Sequence, residues 1–368
     1  MYNPFKDLPQ HVGELHTSPI IRRYAGNPIL TAKDVPYPAS YVFNAGVNRF
    51  HGKYFIAPRV DLFNGRQRPA LDMGTGLGVS DDGIHFEMMP EWIRVHYKGV
   101  VLPWVVDSRL TVLEDQLYLT FCFENQHSER PGIARWRGEG VDFDAVCIGI
   151  PQQRNMVLFP EKVNGMYMRL ERPSNQWQDP FHIWYAFSHD LRYWGDQELF
   201  LGCEDVPWAN KKIGAGAPPI KTDRGWLLIF HAVDSDPDRH KKCMASDDWT
   251  KRYTAGAALF SLDDPTKLIA ITPQPLLVAE EPYECGPQSH CWVEDTVFPC
   301  GAVLEDDQNT LRIYYGAGDA NTCLATTTLA ELWSVMVPAT RKAATATVHF
   351  RYEKCKATTQ TPDHERRR

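Results

Sequence analysis

The segment Ser80-Asp-Asp-Gly-Ile-His-Phe86 returns later in the chain as Ser188-His-Asp-Leu-Arg-Tyr-Trp194. In both, an apolar strand runs into a serine, an aspartate follows two residues on, and the turn closes on an aromatic ring. A recurring unit constrains the fold strongly, because each copy must bury its apolar face against its neighbours. The unit recurs with variations from Asn27 onward. Each copy opens with a charged or amide residue beside a short apolar run. A hairpin with Gly, Asp or Asn at its turn follows, and then another short strand. The openings are Phe43-Asn-Ala-Gly-Val47, Asp107-Ser-Arg109, Arg154-Asn-Met-Val-Leu158, Lys212-Ile-Gly-Ala-Gly216 and Glu294-Asp-Thr-Val-Phe298. The hairpin turns fall at His51-Gly52, Glu114-Asp115, Asn164-Gly165, Asp223-Arg-Gly225 and Asp306-Asp-Gln-Asn309.

Five units of roughly 50–80 residues, each mostly short strands, predict an all-β protein, a five-bladed β-propeller with four-stranded blades. A sandwich or a two-domain all-β protein is the alternative. The expected organisation is a lead-in over 1–26, a propeller catalytic domain over 27–337 and a poorly ordered tail over 338–368, where apolar content falls. The best helix signal is Leu329-Ala-Glu-Leu-Trp-Ser-Val-Met336.

The formal net charge of −7 argues against nucleic acid as a partner. No apolar run is long enough to span a bilayer, so no membrane partner is expected. The first residues lack the basic-then-apolar pattern of a signal peptide. The nine cysteines are odd in number and contain no Cys-x-x-Cys, which indicates neither a zinc site nor a disulfide framework. Cytoplasmic localisation is the expectation that follows. The sequence is compatible with a homo-oligomer.

In a propeller the inner strands line a central channel, so residues at the unit openings converge. Asp107 sits in apolar strand company, where a carboxylate is costly unless it is paired or used. On a regular strand Arg109 would share its face. The other openings bring Asn44, Arg154, Asn155 and Lys212, and the ends of later strands bring Arg59, Arg172, His231 and Asp319. So many cations exceed what a neutral sugar requires and suit an anionic co-substrate such as phosphate. Inverting hydrolysis needs a second carboxylate to activate water, whereas phosphate is already an anionic nucleophile. One acid plus a cation cluster therefore matches phosphorolysis. The structural alternative is a polar network around the axis.

The segments Arg23-Tyr-Ala-Gly-Asn-Pro-Ile-Leu-Thr-Ala-Lys-Asp-Val-Pro-Tyr-Pro38, Phe43–Val47, Ser80–Phe86 and Leu158-Phe-Pro-Glu-Lys162 carry a resemblance. So do Arg172-Pro173, Lys212-Ile-Gly-Ala-Gly-Ala-Pro-Pro-Ile220, Gly225-Trp-Leu-Leu-Ile-Phe-His231 and Tyr314-Tyr-Gly-Ala-Gly-Asp319. Together they resemble the mannoside phosphorylases of glycoside hydrolase family 130, most nearly the mannosylglucose phosphorylase branch. The resemblance implies a five-bladed propeller that phosphorolyses β-mannosides with inversion to α-mannose 1-phosphate, with no cofactor beyond phosphate and no metal. It implies Asp107 as general acid acting through the mannosyl 3-hydroxyl. Arg154, Asn155, Arg172 and His231, helped by Arg59 and Lys212, would hold phosphate. Asn44 and Asp319 would hold the mannosyl unit, and Arg109 joins them as a substrate-binding candidate. The family's usual Glu-Asp-Pro-Arg or Glu-Asp-Leu-Arg is Val106-Asp-Ser-Arg109 here. Competing readings are a β-mannosidase of the same fold, a three-acid hydrolase using Asp61, Asp107 and Glu171, and a non-catalytic sugar-binding propeller.

Overall fold

Polar turns punctuate apolar alternation along the whole chain, and each stretch between turns is a strand. A computed structural model describes residues 8–63, 72–124, 127–174, 180–243, 246–286 and 291–341, so most of the expected tail lies outside the described residues. Each repeat unit forms one antiparallel sheet. Blade 1 runs outward from Tyr41–Phe50 through Lys53–Leu62 and Gly78–Ser80 to Glu87–Met88. Blade 2 runs from Val105–Leu113 through Gln116–Glu124 and Glu129–Trp136 to Asp142–Ile148, with Arg94–Tyr97 added parallel to its outer edge. Blade 3 holds Gln153–Leu158, Tyr167–Pro173, Ile183–Ser188 and Trp194–Leu201. Blade 4 holds Lys212–Ala215, Trp226–Ser235, Lys251–Phe260 and Leu268–Ile271. Blade 5 holds Val297–Leu304, Thr310–Ala317 and Asn321–Thr328.

The outermost strand of blade 5 comes from the other end of the chain. Arg22–Arg23 pairs with Thr326 and Ala325, which closes the ring with a strand that precedes the repeat pattern. The Arg23 guanidinium fixes this closure through two 2.9 Å bonds to buried Glu284. The core is divided in the same way as the ring. Among the described residues, buried apolar side chains form five clusters, one for each seam between adjacent blades. The seam between blades 3 and 4, for example, packs Phe159, Leu170, Trp208, Phe230 and Phe260. Such a division is expected of a propeller, in which each blade buries one face against each neighbour, and a two-layer sandwich would not produce it.

The inner strands are irregular in a repeated way. In blades 1, 2 and 3 the ladder to the second strand shifts register, beside Phe43/Gly46, Thr120/Cys122 and Arg154/Val157. At each shift stands an amide or carboxylate residue in the left-handed region: Asn44 at φ 48°, Asp107 at φ 52° and Asn155 at φ 53°. Asn and Asp are the side-chain-bearing residues that enter this region most readily. A bulge of this kind re-aims the side chain and breaks the two-residue alternation. Asp107 and Arg109 therefore do not share a face, contrary to the expectation for a regular strand. The inner strand of blade 4 pairs without a shift. Near the axis, Gly216 lets strands approach: a Cβ there would lie 2.8 Å from the Ile229 carbonyl oxygen and 3.0 Å from that of Pro299.

The predicted helix is present as Leu329–Val335, capped by Thr328, whose hydroxyl accepts from the Glu331 amide. Among the described residues no helix is long and apolar enough to cross a membrane.

Candidate active site

The leading ends of the inner strands open into a cavity of about 620 Å³. Asn44 and Arg59 enter from blade 1, Asp107 from blade 2, Arg154, Asn155 and Arg172 from blade 3, Lys212 from blade 4 and Asp319 from blade 5. Eight of the ten residues singled out from sequence thus line one cavity. The bulges explain why Asn44, Asp107 and Asn155 are among them. Among the described residues the Oδ1 atoms of Asn44, Asp107 and Asn155 are buried without a hydrogen-bond partner, and Asn44 Oδ1 packs where a Cβ on Gly316 would stand 2.0 Å away.

Two expected members are displaced. Arg109 is 0% exposed and lies beneath the cavity, where its Nε donates to the Gly216 carbonyl at 2.5 Å and its Nη1 to the Asp107 carbonyl at 2.7 Å. The register shift at Asp107 turns it to the axis side, so it braces the backbone under the acid rather than facing a ligand. His231 is also 0% exposed. Its Nε2 sits 3.4 Å from Arg172 Nη1, its ring is tilted on Phe298 at 4.4 Å, and Gly214 leaves room for it, since a Cβ there would stand 2.3 Å from His231 Cε1. Burial, reinforced by Arg172, Lys212 and Arg109, pushes its pKa well below the usual imidazole value and keeps the ring neutral. The openings Glu294 and Asp295 are buried outside the cavity lining.

Asp107 is 7% exposed. Burial pushes its carboxyl up, but the guanidinium groups of Arg59, Arg154 and Arg109 outweigh burial and hold it below the usual carboxylate range. Without ligands it is a carboxylate at neutral pH. Trp104 does not bury it, being 40% exposed on the loop before the strand. The unusual neighbours turn away: Val106 is buried opposite Cys122, and Ser108 Oγ lies 3.0 Å from Thr75 Oγ1.

The cations differ in their partners. Arg59 is forked by Asp61, with Nε donating to Oδ1 at 2.8 Å and Nη2 to Oδ2 at 3.0 Å, and its Nη1 lies 3.5 Å from Asp107 Oδ1. It belongs with the carboxylates of blades 1 and 2 rather than with the other arginines. Arg154 pairs with Glu124 and, at 2.7 Å, with Glu129. Lys212 Nζ lies 5.0 Å from the centre of the Tyr253 ring. Arg172 is 6% exposed and has no carboxylate partner among the described residues; its Nε is buried without a hydrogen-bond partner. Burial and repulsion from Arg154 lower its pKa to about 10. A buried guanidinium in this state is costly unless an anion compensates it.

Sequence reasoning passed over several lining residues: Glu124, Trp249, Lys251 and Tyr253, and Asp61 except as one of three acids. Asp61 was detectable in principle, because it stands two residues after Arg59 on a strand segment without a shift. Trp249 sits on a hairpin, Lys241–Cys243 with Ser246–Trp249, inserted between two strands of blade 4, and no repeat signal marks it. The three-acid reading is not supported by geometry. Glu171 is held inside blade 3 by Arg169 at 2.7 Å and Gln153 at 3.1 Å, outside the lining. Elsewhere His11, Asp236 and Asp238 bring three potential metal ligand atoms within 4.8 Å of one another, but two of the three are exposed and all stand outside the cavity.

Comparison with known proteins adds an independent line. A family model described as β-1,4-mannooligosaccharide phosphorylase, of glycoside hydrolase family 130, matches residues 14–337. The chain is 29% identical over 343 residues to a β-1,4-mannooligosaccharide phosphorylase of Ruminococcus albus, covering 89% of this chain and 93% of the relative. It is 29% identical over 308 residues to a 4-O-β-D-mannosyl-D-glucose phosphorylase of Bacteroides fragilis, covering 78% of this chain and 73% of the relative. The structure of a β-1,2-mannobiose phosphorylase from Listeria innocua in complex with β-1,2-mannobiose superposes with a TM-score of 0.69 at 25% identity, over 85% of this chain and 98% of the other.

Proposed function

The chain belongs to glycoside hydrolase family 130, and from that premise we propose that it is an inverting β-mannoside phosphorylase with Asp107 as general acid. The observation that carries the proposal is Arg172, a buried guanidinium facing the cavity without a carboxylate partner among the described residues. Inorganic phosphate supplies the missing charge, held by Arg172, Arg154, Lys212 and Asn155. Arg forks match phosphate oxygens and Lys contributes a point charge. The mannosyl unit lies between Asn44, Asp107 and Asp319, toward blades 1, 2 and 5.

A phosphate oxygen attacks the anomeric carbon from the side of blades 3 and 4. The bond from that carbon to the leaving oxygen breaks, and its electron pair stays on the leaving sugar. That oxygen takes a proton supplied by Asp107, through the mannosyl 3-hydroxyl, and the products are α-mannose 1-phosphate and the shortened sugar. Asp107 must be protonated at this moment, whereas Arg59, Arg154 and Arg109 by themselves hold it ionised. The negative charge of bound phosphate offsets Arg154 and Arg172 and so favours the proton on Asp107. No water-activating base is required, and the cavity geometry agrees: Asp61 is tied up by Arg59, and Glu124 by Arg154.

β-1,4-Mannosylglucose and β-1,4-mannooligosaccharides are the substrates proposed, following the family description and two of the relatives; relatives named for β-1,2-mannosides share as much of the chain, so β-1,2-mannobiose is the control substrate. A cytoplasmic setting suits the thiols, since Cys122, Cys147, Cys203, Cys285, Cys291, Cys300 and Cys323 are all free. The test is incubation with β-1,4-mannobiose and mannosylglucose, with and without phosphate. Phosphate-dependent release of mannose 1-phosphate is expected. Cleavage of equal rate without phosphate, yielding free mannose, would identify a mannosidase instead.

A further inference from the structure

Asp61 is a second carboxylate in the cavity, and the chemistry above leaves it without a task. Its position is specific. It and Arg59 leave the same face of the strand Lys53–Leu62, opposite Tyr41 and Phe43 in register. The fork of Arg59, Nε and Nη2, is filled by Asp61, so that only Nη1 is directed at Asp107. That approach stops at 3.5 Å, longer than a charge-assisted hydrogen bond, and among the described residues Asp107 Oδ1 has no hydrogen-bond partner. Arg59 is also seated over the Phe43 ring, 5.2 Å from its centre, which limits how it swings.

We propose that Asp61 is a positioning residue that occupies the Arg59 fork and so keeps this guanidinium from closing onto Asp107, leaving the acid able to take its proton. An Arg59 released from Asp61 would turn its fork to the nearest carboxylate, which is Asp107. A bidentate Arg59–Asp107 pair would fix Asp107 as an anion and remove it from proton delivery. The idea rests on the assignment of Asp107 as the acid and adds the device that keeps it available.

The other groups around Asp107 do not replace this device. Arg154 approaches from blade 3 but is engaged by Glu124 and Glu129. Arg109, on the same strand, is committed to carbonyl oxygens. Asp319 lines the cavity from blade 5. The neighbouring thiols, Cys122 and Cys300, are pushed up to about 12 by burial and stay neutral.

The test is a double-mutant cycle read by titration of the Asp107 carboxyl with carbon NMR, on the full chain without ligands. Asp61→Asn is expected to lower the Asp107 titration midpoint by about one pH unit, a tenfold change in its proton affinity. Arg59→Gln is expected to raise it. In the Arg59→Gln background, Asp61→Asn is expected to shift it by less than about 0.3 units. Equal shifts from Asp61→Asn in both backgrounds would mean that Asp61 acts on Asp107 directly, and would overturn the proposal. If Asp61→Asn does not fold, Arg59→Gln alone decides: an unmoved midpoint overturns it. The pH profile of kcat/KM for β-1,4-mannobiose at saturating phosphate gives the kinetic counterpart. A wild-type protein without phosphate-dependent turnover would refute the proposed reaction. An active wild type whose profile is unmoved in Asp61→Asn would refute the positioning role alone.

Discussion

Arg59 and Arg172 face one cavity from opposite sides of the propeller, and their environments push them in opposite directions. Both are buried. Arg59 sits between Asp61 and Asp107, and although burial lowers its pKa, the two carboxylates raise it further. Arg172 faces Arg154 and a neutral histidine, and its pKa falls to about 10. The first arginine is satisfied before any ligand arrives. The second is in deficit until one does. A count of cations would treat the two alike, and only their partners separate a residue that tunes the acid from one that waits for an anion.

The largest effect expected along this divide is at the acid itself. Asp107→Asn should lower kcat for β-1,4-mannobiose by about 10²–10⁴-fold. The loss should be far smaller for 4-nitrophenyl β-mannoside, whose leaving group needs no proton. Equal losses on both substrates would point to a binding role. Next, Arg172→Met should raise the KM for phosphate by roughly 10–100-fold, the worth of charge-assisted hydrogen bonds. The same change should raise the melting temperature of the unliganded protein, because it removes an uncompensated buried charge. Arg59→Met should do the reverse, costing about 3–5 kcal/mol by leaving Asp61 buried and unpaired. If both substitutions moved the melting temperature in the same direction, the contrast between the two sites would fail.

His231 offers a pH test of the Arg172 side. Its folded pKa lies well below 6.5, so the unfolded chain binds a proton that the folded chain does not. The stability contributed by the neutral ring is therefore complete above pH about 6.5 and is lost as pH falls below it, by up to about 1.4 kcal/mol per pH unit. His231→Gln should flatten that slope in denaturant titrations. The smallest effect is expected at Ser108. Ser108→Ala removes one buried contact with Thr75, whose hydroxyl still donates to the Val105 carbonyl at 2.7 Å. It should cost about 1 kcal/mol or less and leave kcat unchanged, because the side chain points away from the cavity.

The repeat made the ring of blades legible in the sequence, since hairpin turns and strand alternation are local properties. It also brought Asn44, Asp107, Arg154, Asn155, Arg172, Lys212 and Asp319 to one place, because matched positions in a propeller converge. What it could not reveal was which side of the backbone each residue takes. Alternation assigns faces only on a regular strand, and the left-handed bulges at Asn44, Asp107 and Asn155 reset it. Arg109 was misplaced for that reason. His231 was misplaced for another: sequence does not distinguish a residue facing a ligand from one stacked beneath it. The Asn and Asp at matched openings were themselves the overlooked signal, because these residues tolerate the left-handed conformation that a bulge demands. Trp249 lay beyond reach because it arrives on an insertion confined to blade 4.

The central claim is that Arg172 awaits an inorganic anion that the reaction consumes. Calorimetric titration of phosphate into the wild type, Arg172→Met and Arg59→Gln, at low ionic strength and without sugar, tests it directly. The account predicts saturable binding to the wild type, affinity reduced by roughly 10–100-fold in Arg172→Met, and little change in Arg59→Gln. Equal phosphate affinity in the wild type and Arg172→Met would contradict it.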